Sequence, residues 1–585
     1  MLGSRVSRPA ARTPTKPLGS KARPAPVART RPSKKVAPRT AISRAPALGR
    51  HRPLLLLMVF ALMAAGILSR LVTWQVLHHD WLYAAAMAQH NMLVQQPALR
   101  GQIYGSDGIP LATDVAVNLL YGVPKDIVHP AQDAALLAPI IGLPESWIQQ
   151  RLTGTSLYAQ LAPRLTAEQS KKIQNLGLSG ILFDPIIARD YPEGSIASQV
   201  LGYVDTSNTG NYGLEQYYDH MLSGKAGIRT VLKDTAGHAV HVGSGPGAPS
   251  TDGANLYLSL DSFVQNAAET ELQKAVKAHS AAGGTIIVMD PHTGYILGMA
   301  STPGFNPNHY SSAAGTLSPY TGQSNFANPA ISWSYEPGST FKIVTMAAGL
   351  DSNVITPQTA FEDTGRWQVG NVTLHNWNDG GFGWETMTQV LQHSANVGAS
   401  FVSSRLGVDR FYRYVKKFGI GSPTGIDLAG EAAGLLPLPG DKTWTDVNQF
   451  TNAFGQGLST TPLQLIRAVA TVANGGVMMK PQMVRRVVYD GHVINHPPVS
   501  QGRVISARAA HTLTGMLVQS AVGGEASQAL VKGYDIAAKT GTANIPAPGG
   551  GYINGATVAS ITGYAPASSP RFVAMAIIDR PKDTP

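Results

Sequence analysis

Three short strings in this chain bring together residue types that can run acyl transfer: Ser339-Thr-Phe-Lys342, Ser394-Ala-Asn396 and Lys539-Thr-Gly541. A serine hydroxyl is a weak nucleophile at neutral pH and needs a base beside it. A lysine amine serves as that base only if burial or a second cation depresses its pKa. Ser339 and Lys342 lie three residues apart in a stretch that reads as a helix entered through the Pro337-Gly338 corner. That spacing puts hydroxyl and amine on one face, about one turn apart. Ile343, Val344, Met346, Ala347 and Ala348 are apolar enough to bury the helix and hold the pair at its amide-rich, positive end. Lys539 can be the second cation and can bind a substrate carboxylate. Ser394 is placed to relay a proton between an amine and a leaving group. Asn396 is placed to orient Lys342 and bind a substrate amide. Thr540, Gly541 and Thr542 form the expected substrate-binding and oxyanion stretch. Gly541 omits a side chain so that an extended peptide can lie along the strand edge, and the amides of Ser339 and Thr542 receive the developing oxyanion.

Each string has a plainer reading: a helix-capping hydroxyl for Ser339, a solvated amine for Lys342, a loop pair for Ser394 and Asn396. In a chain of this size S-x-x-K and S-x-N each arise about twice by chance and K-T-G about 0.1 times, so the weight falls on order and context. The elements around the strings supply that context. Residues 261–280 read as an amphipathic helix, and 285–290 with 295–300 as a β-hairpin whose first strand is apolar on both faces and so needs helices on both sides. Strand signals return only at 534–542, 556–564 and 571–579, with helices and loops over about 330–530. The expected fold class is α+β: one antiparallel sheet built from both ends of the region, a helical insertion between, and a cleft at the join.

The remaining sequence reads as delivery. The 585 residues imply three or four units. A formal charge of +11 looks like a nucleic-acid signal until it is located: residues 1–52 hold 14 Lys or Arg and no acid, which leaves 32 basic against 35 acidic residues elsewhere. The expected organisation is a disordered basic cytoplasmic tail (1–52), a transmembrane anchor (53–77), a non-catalytic pedestal (78–250) and a catalytic domain (251–585). Leu54–Leu68 and Leu71–Leu77 make the span, with Arg70 and Trp74 suited to the interface, and the basic flank keeps the N-terminus cytoplasmic. Three pedestal phrases, beginning at Arg100, Arg189 and Asn211, carry turn residues and charges that can bridge segments, and residues 234–254 read as a flexible boundary. The absence of cysteine excludes disulfides and thiolate chemistry. The 16 histidines show no H-E-x-x-H pattern, so no metal or cofactor is expected.

The trio resembles the active-site signature of penicillin-binding proteins and serine β-lactamases. The whole chain is similar to class B penicillin-binding proteins, most closely those of the FtsI cell-division type, through the three pedestal phrases, Gly294-Tyr-Ile-Leu-Gly-Met-Ala300, Glu336-Pro-Gly-Ser339, Phe454-Gly-Gln-Gly-Leu-Ser-Thr-Thr-Pro-Leu-Gln464 and Lys539-Thr-Gly-Thr542. The resemblance implies a penicillin-binding transpeptidase (serine β-lactamase-like) domain behind a dimerisation-type pedestal and one transmembrane helix. It implies a peptidoglycan D,D-transpeptidase of the bacterial cytoplasmic membrane that cross-links stem peptides in septal wall synthesis and is acylated by β-lactams at Ser339. It also implies partners among divisome proteins, including a membrane glycosyltransferase of the FtsW type. Two departures stand out. The family usually has Asp-Arg where this chain has Gly105-Ser106, so an ion pair within the pedestal, or one with a binding partner, is expected to be missing or replaced. The chain also stops soon after its last strand, where relatives continue into a helix, so a short C-terminal end is expected. The alternatives are an elongation- or sporulation-type transpeptidase, a membrane-anchored β-lactam sensor, or a β-lactamase-like hydrolase. The last needs a carboxylate to activate water, and Glu431 lacks the Asn of the class A pattern. No E-D-x-x-F-like phrase marks a glycosyltransferase in 78–250.

Overall fold

The computed structural model describes residues 51–233, 239–240 and 247–582. The basic tail expected at 1–52 lies outside them apart from its last two residues, as do 234–238 and 241–246 of the expected boundary stretch. The chain divides into two units, residues 1–89 and 90–585.

In the first unit, the helix His51–Val72 continues through a π-type turn, Thr73–Leu77, giving 27 residues long and apolar enough to cross a membrane, none of the apolar window being buried. At 1.5 Å per residue this is about 40 Å, enough to span a hydrocarbon core of about 30 Å with its ends in the interface. The two interfacial residues pair: the Arg70 guanidinium stands 5.6 Å from the Trp74 ring centre. A shorter helix, His79–His90, follows.

In the second unit the three pedestal phrases converge on one ionic cluster. Glu215 is fully buried, and its two carboxylate oxygens accept from Arg100 Nε (2.7 Å) and Arg189 Nε (2.8 Å). Arg100 also meets Asp219 (2.8 Å) and Arg189 meets Asp114 (3.1 Å). The charges noted in the phrases therefore bridge segments 115 residues apart. Gly105 and Ser106 take no part in the cluster. Their amides close a turn, donating to Ile109 O (2.9 Å) and Leu260 O (2.8 Å). The long hairpin strand Pro110–Gly122 pairs with Ile181–Asp190 and Ala159–Leu165 over a separate apolar core of residues such as Leu120, Leu137 and Leu152. The stretch read as a flexible boundary is, where described, tied down. Gly247–Ala248 pairs with Gly227–Lys233, Leu99 donates from its amide to Asp252 Oδ1 (2.9 Å), and Gly253 N donates to Leu99 O (2.9 Å). Polar, glycine-rich composition masks these backbone bonds. Beyond it, Asn255–Leu258 lies between Ile103–Tyr104 of the pedestal and Val484–Tyr489 of the catalytic region, pairing with both.

The catalytic region is built on β1 (Gly283–Met289), β2 (Ile296–Thr302), β3 (Ala537–Pro546), β4 (Tyr552–Ala565) and β5 (Phe572–Asp579), ordered β2-β1-β5-β4-β3 and antiparallel throughout. Early and late chain segments thus share one sheet, as the strand signals implied, with β3 at its edge. Helix α1 (Ser262–Ala278), capped by Asp261 Oδ1 accepting from the amides of Phe263 and Val264, covers one face through Leu272 and Ala268 against Ile286 and Ile578. Ile287, Met575 and Ile577 on the other face join the main core, which also holds α2 (Lys342–Asp351), α3 (Asn396–Leu406), α4 (Pro462–Ala473) and α5 (Ala507–Gly523). Every residue of α4 is buried. Thr461 caps it in a reciprocal box with Gln464, which explains the Thr-Pro-Leu-Gln end of the quoted phrase.

Candidate active site

The nucleophile corner is shaped by glycine. Gly338 has φ +58°, and a Cβ there would stand 3.0 Å from the Thr542 carbonyl oxygen and 3.0 Å from Ala543 Cβ. Only glycine lets the corner close on β3 in that conformation. The Phe454-Gly-Gln-Gly phrase braces the other side: Gly338 N donates to Gly455 O (3.0 Å) and Gly457 N to Glu336 Oε1 (2.9 Å). Ser339 sits in a 3-10 turn, Gly338–Phe341, and α2 begins only at Lys342. The expected α-helical first turn is therefore wound more tightly. With three residues per turn, positions i and i+3 eclipse, and Lys342 Nζ lies 3.0 Å from Ser339 Oγ.

Lys342 is fully buried. Besides Ser339 its amine meets the Ser394 carbonyl in a short contact, Ser394 Oγ at 3.4 Å and Asn396 Oδ1 at 2.9 Å. Asn396 is oriented by Nδ2 donating to His375 O (3.1 Å). The Ser394 carbonyl and Asn396 Oδ1 can only accept. A neutral amine gives its two N–H groups to them and turns its lone pair toward the Ser339 hydroxyl. The electrostatics favour that neutral form. Burial first, then the charge of Lys539, hold Lys342 well below the ordinary lysine range, against the opposing pull of Glu525, Glu385 and Asp363. Lys539 is itself buried and brought down to about 8 by that burial, with Nζ donating to Thr540 O (3.1 Å). Ser394 is held at φ +56°, an unusual conformation for serine that aims its carbonyl and hydroxyl at Lys342.

The structure thus brings Ser339, Lys342, Ser394 and Asn396 into direct contact, with Lys539 acting on them through its charge. Thr540 and Thr542 share one face of the edge strand β3 beside the corner. Gly541 also has a packing role. A Cβ there would meet Thr340 Cγ2 and Ser560 Oγ at 3.0 Å and Thr340 N at 3.1 Å. The missing side chain lets the strand close on the nucleophile turn. Glu431 accepts from Thr424 N (2.6 Å), Thr424 Oγ1 (2.5 Å) and Gly425 N (2.9 Å), bonds that hold its carboxylate to the neighbouring 424–425 turn.

Behind the site lies a group that sequence reasoning missed. Asp363 and Glu385 are buried side by side; Glu385 is raised to about 8, by burial and then by Asp363. Asp363 accepts from Gly365 N (2.7 Å) and Asn376 Nδ2 (2.7 Å), and Asn376 Oδ1 takes the Val397 amide (3.0 Å) in the first turn of α3. Glu385 faces His393 Nδ1 (3.0 Å), next to Ser394. The cluster supports the turn that carries Ser394 and Asn396. Its members are scattered over about thirty positions with no periodicity, so no sequence pattern announces it.

An activated serine where a helical insertion meets the edge of an antiparallel sheet defines the class, a serine acyltransferase. Residues 284–584, more than half of the chain, match the penicillin-binding protein transpeptidase domain, and residues 95–258 match the penicillin-binding protein dimerisation domain. The chain belongs to the penicillin-binding proteins, in the class B arrangement of dimerisation domain followed by transpeptidase domain. It is 34% identical over 493 residues to stage V sporulation protein D of Bacillus subtilis (83% of this chain, 75% of that protein). It is 31% identical over 531 residues to the peptidoglycan D,D-transpeptidase FtsI of Escherichia coli (89% and 86%). Among solved structures it resembles penicillin-binding protein 3 of Mycobacterium tuberculosis complexed with aztreonam, with a TM-score of 0.64 and 28% identity over 84% of this chain and 92% of that one. The apolar helix over 51–77 is consistent with the single-pass anchor of such proteins.

Proposed function

We propose that the protein is a peptidoglycan D,D-transpeptidase working through an acyl-enzyme at Ser339. Ser339 Oγ attacks the carbonyl of the penultimate D-alanine of one stem peptide while its proton passes to Lys342 Nζ. The proton then reaches the departing D-alanine amine by way of Ser394, and the C–N bond breaks. An amine of a second stem peptide attacks the ester, the bond to Ser339 Oγ breaks as the cross-link forms, and a proton lost by that amine passes through Lys342 to Ser339 Oγ. Asn396 fixes Lys342, Lys539 keeps it neutral, Thr540 and Thr542 bind the terminal carboxylate beside Gly541, and the amides of Ser339 and Thr542 receive the oxyanion. β-Lactams acylate the same hydroxyl. The carrying observation is the buried Lys342 amine, 3.0 Å from Ser339 Oγ with its N–H groups taken by two acceptors.

The division into tail (1–52), anchor (53–77), pedestal (78–250) and transpeptidase domain (251–585) belongs to this reading. So do a cytoplasmic N-terminus, an extracytoplasmic catalytic domain and a septal role beside an FtsW-type glycosyltransferase and other divisome proteins. The 34% identity to a sporulation protein favours a second reading, a sporulation-type transpeptidase. Depletion that yields filaments supports the septal role, and normal vegetative division with failed spores supports the other. The chemistry is tested with a fluorescent penicillin. The protein is expected to be labelled covalently for minutes and Ser339→Ala not at all; equal labelling of the variant overturns the assignment, and rapid release of hydrolysed drug makes the protein a β-lactamase.

A further inference from the structure

Glu525 opens the 3-10 turn Glu525–Ala529 at the end of α5, and its side chain is exposed. Its Oε2 accepts a hydrogen bond from Thr540 Oγ1 (2.8 Å), and its charge is felt by both Lys342 and Lys539. The turn is seated from behind. A Cβ on Gly524 would stand 2.7 Å from the Gln392 carbonyl oxygen, and one on Gly523 would stand 2.7 Å from Gln392 Nε2. Gln392 is two residues before Ser394, so the Glu525 turn rests on the segment that leads into the lysine-binding turn.

On the transpeptidase reading, Thr540 is a donor to the ligand's terminal carboxylate. A threonine hydroxyl has one proton to donate, and two carboxylates at one hydroxyl repel each other. We propose that Glu525 is a specificity-determining residue of this site, an internal carboxylate that competes with the ligand's own for Thr540 and must turn aside before an anionic peptide or β-lactam seats. Ligands lacking the carboxylate meet no such competitor. Glu525 thereby narrows the site's preference for anionic over uncharged ligands.

The test compares second-order acylation rates of the full chain by benzylpenicillin and by its uncharged methyl ester, in the wild type and in Glu525→Gln and Glu525→Ala. Both variants are expected to speed acylation by benzylpenicillin about 5- to 10-fold, as for removing one like charge from a partly exposed contact, and to change the ester rate by less than about twofold on the same grounds. The rates are taken at about pH 6, below the Lys539 value of about 8, so that Lys539 stays charged in every variant; any effect on the basicity of Lys342 falls on both compounds and cancels in their ratio. An unchanged charged-to-uncharged ratio with normal acylation of the wild type overturns this proposal alone. Absence of acylation in the wild type overturns the transpeptidase reading and the proposal with it.

Discussion

Replacing Glu215 by glutamine tests the pedestal's main staple. The carboxylate is fully buried between Arg100 and Arg189, one oxygen to each Nε, and Tyr191 OH reaches it at 3.3 Å. Glutamine preserves the shape but turns an NH2 donor toward one guanidinium and removes the central negative charge. Breaking a buried ion pair on one side costs about 3–5 kcal/mol. Asp114 and Asp219 still offset the two arginines, which places the expected loss at the low end, about 3 kcal/mol. At no more than about 2–4 °C per kcal/mol, the transition of the 90–585 unit should fall by several degrees, up to about 6–12 °C. Asp219→Asn removes a partner that is 34% exposed and should cost no more than about 1 kcal/mol. Differential scanning calorimetry of the full chain reads both, and penicillin labelling at 25 °C should be retained, because the variant is still folded there. A Glu215→Gln transition within about 1 °C of wild type, or equal effects of the two variants, would refute the reasoning that burial sets the scale.

Two more outcomes follow from the site. The folded-state pKa of Glu385, about 8, lies above its ordinary 4.5, so the native protein holds a proton there that the unfolded chain releases. Its contribution is complete below pH 4.5 and is lost as pH rises to about 8, at up to about 1.4 kcal/mol per pH unit; urea unfolding of Glu385→Gln between pH 5 and 8 should show a shallower fall than the wild type. Gly541→Ala inserts a methyl 3.0 Å from Thr340 Cγ2, next to the nucleophile, and should slow penicillin acylation by about 10- to 100-fold while the protein stays folded.

The sequence carried the parts of this architecture that depend on local chemistry. The amphipathic stretch at 261–280, the apolar β1 strand and the Ser339-to-Lys342 spacing each act within a few residues, and each led to the observed element. Other features depend on contacts across the fold. The tight winding at Ser339 is imposed by Gly338 pressed between β3 and Gly455, a constraint spread over 200 residues. The same distance effect hid the close approach of Gly541 to Thr340. It also hid the Asp363–Glu385 pair, whose apposition exists only once the strands Ala360–Asp363 and Gly383–Thr386 pair. The 247–254 stretch misled for a different reason: glycine and proline mark turns but do not distinguish a loose linker from one pinned by its backbone amides.

The strand Asn255–Leu258 has a practical consequence for anyone dissecting the molecule. Because it is shared between the two sheet halves, a cut on its N-terminal side strips Ile103–Tyr104 from it, and a cut on its C-terminal side bares Val484–Tyr489 instead. Either fragment would display an unpaired ribbon edge, with Leu256 and Leu258 or Val484 and Val487 deprived of cover, the kind of surface through which chains stick to one another. Soluble versions are better trimmed upstream of the pedestal than between it and the catalytic half.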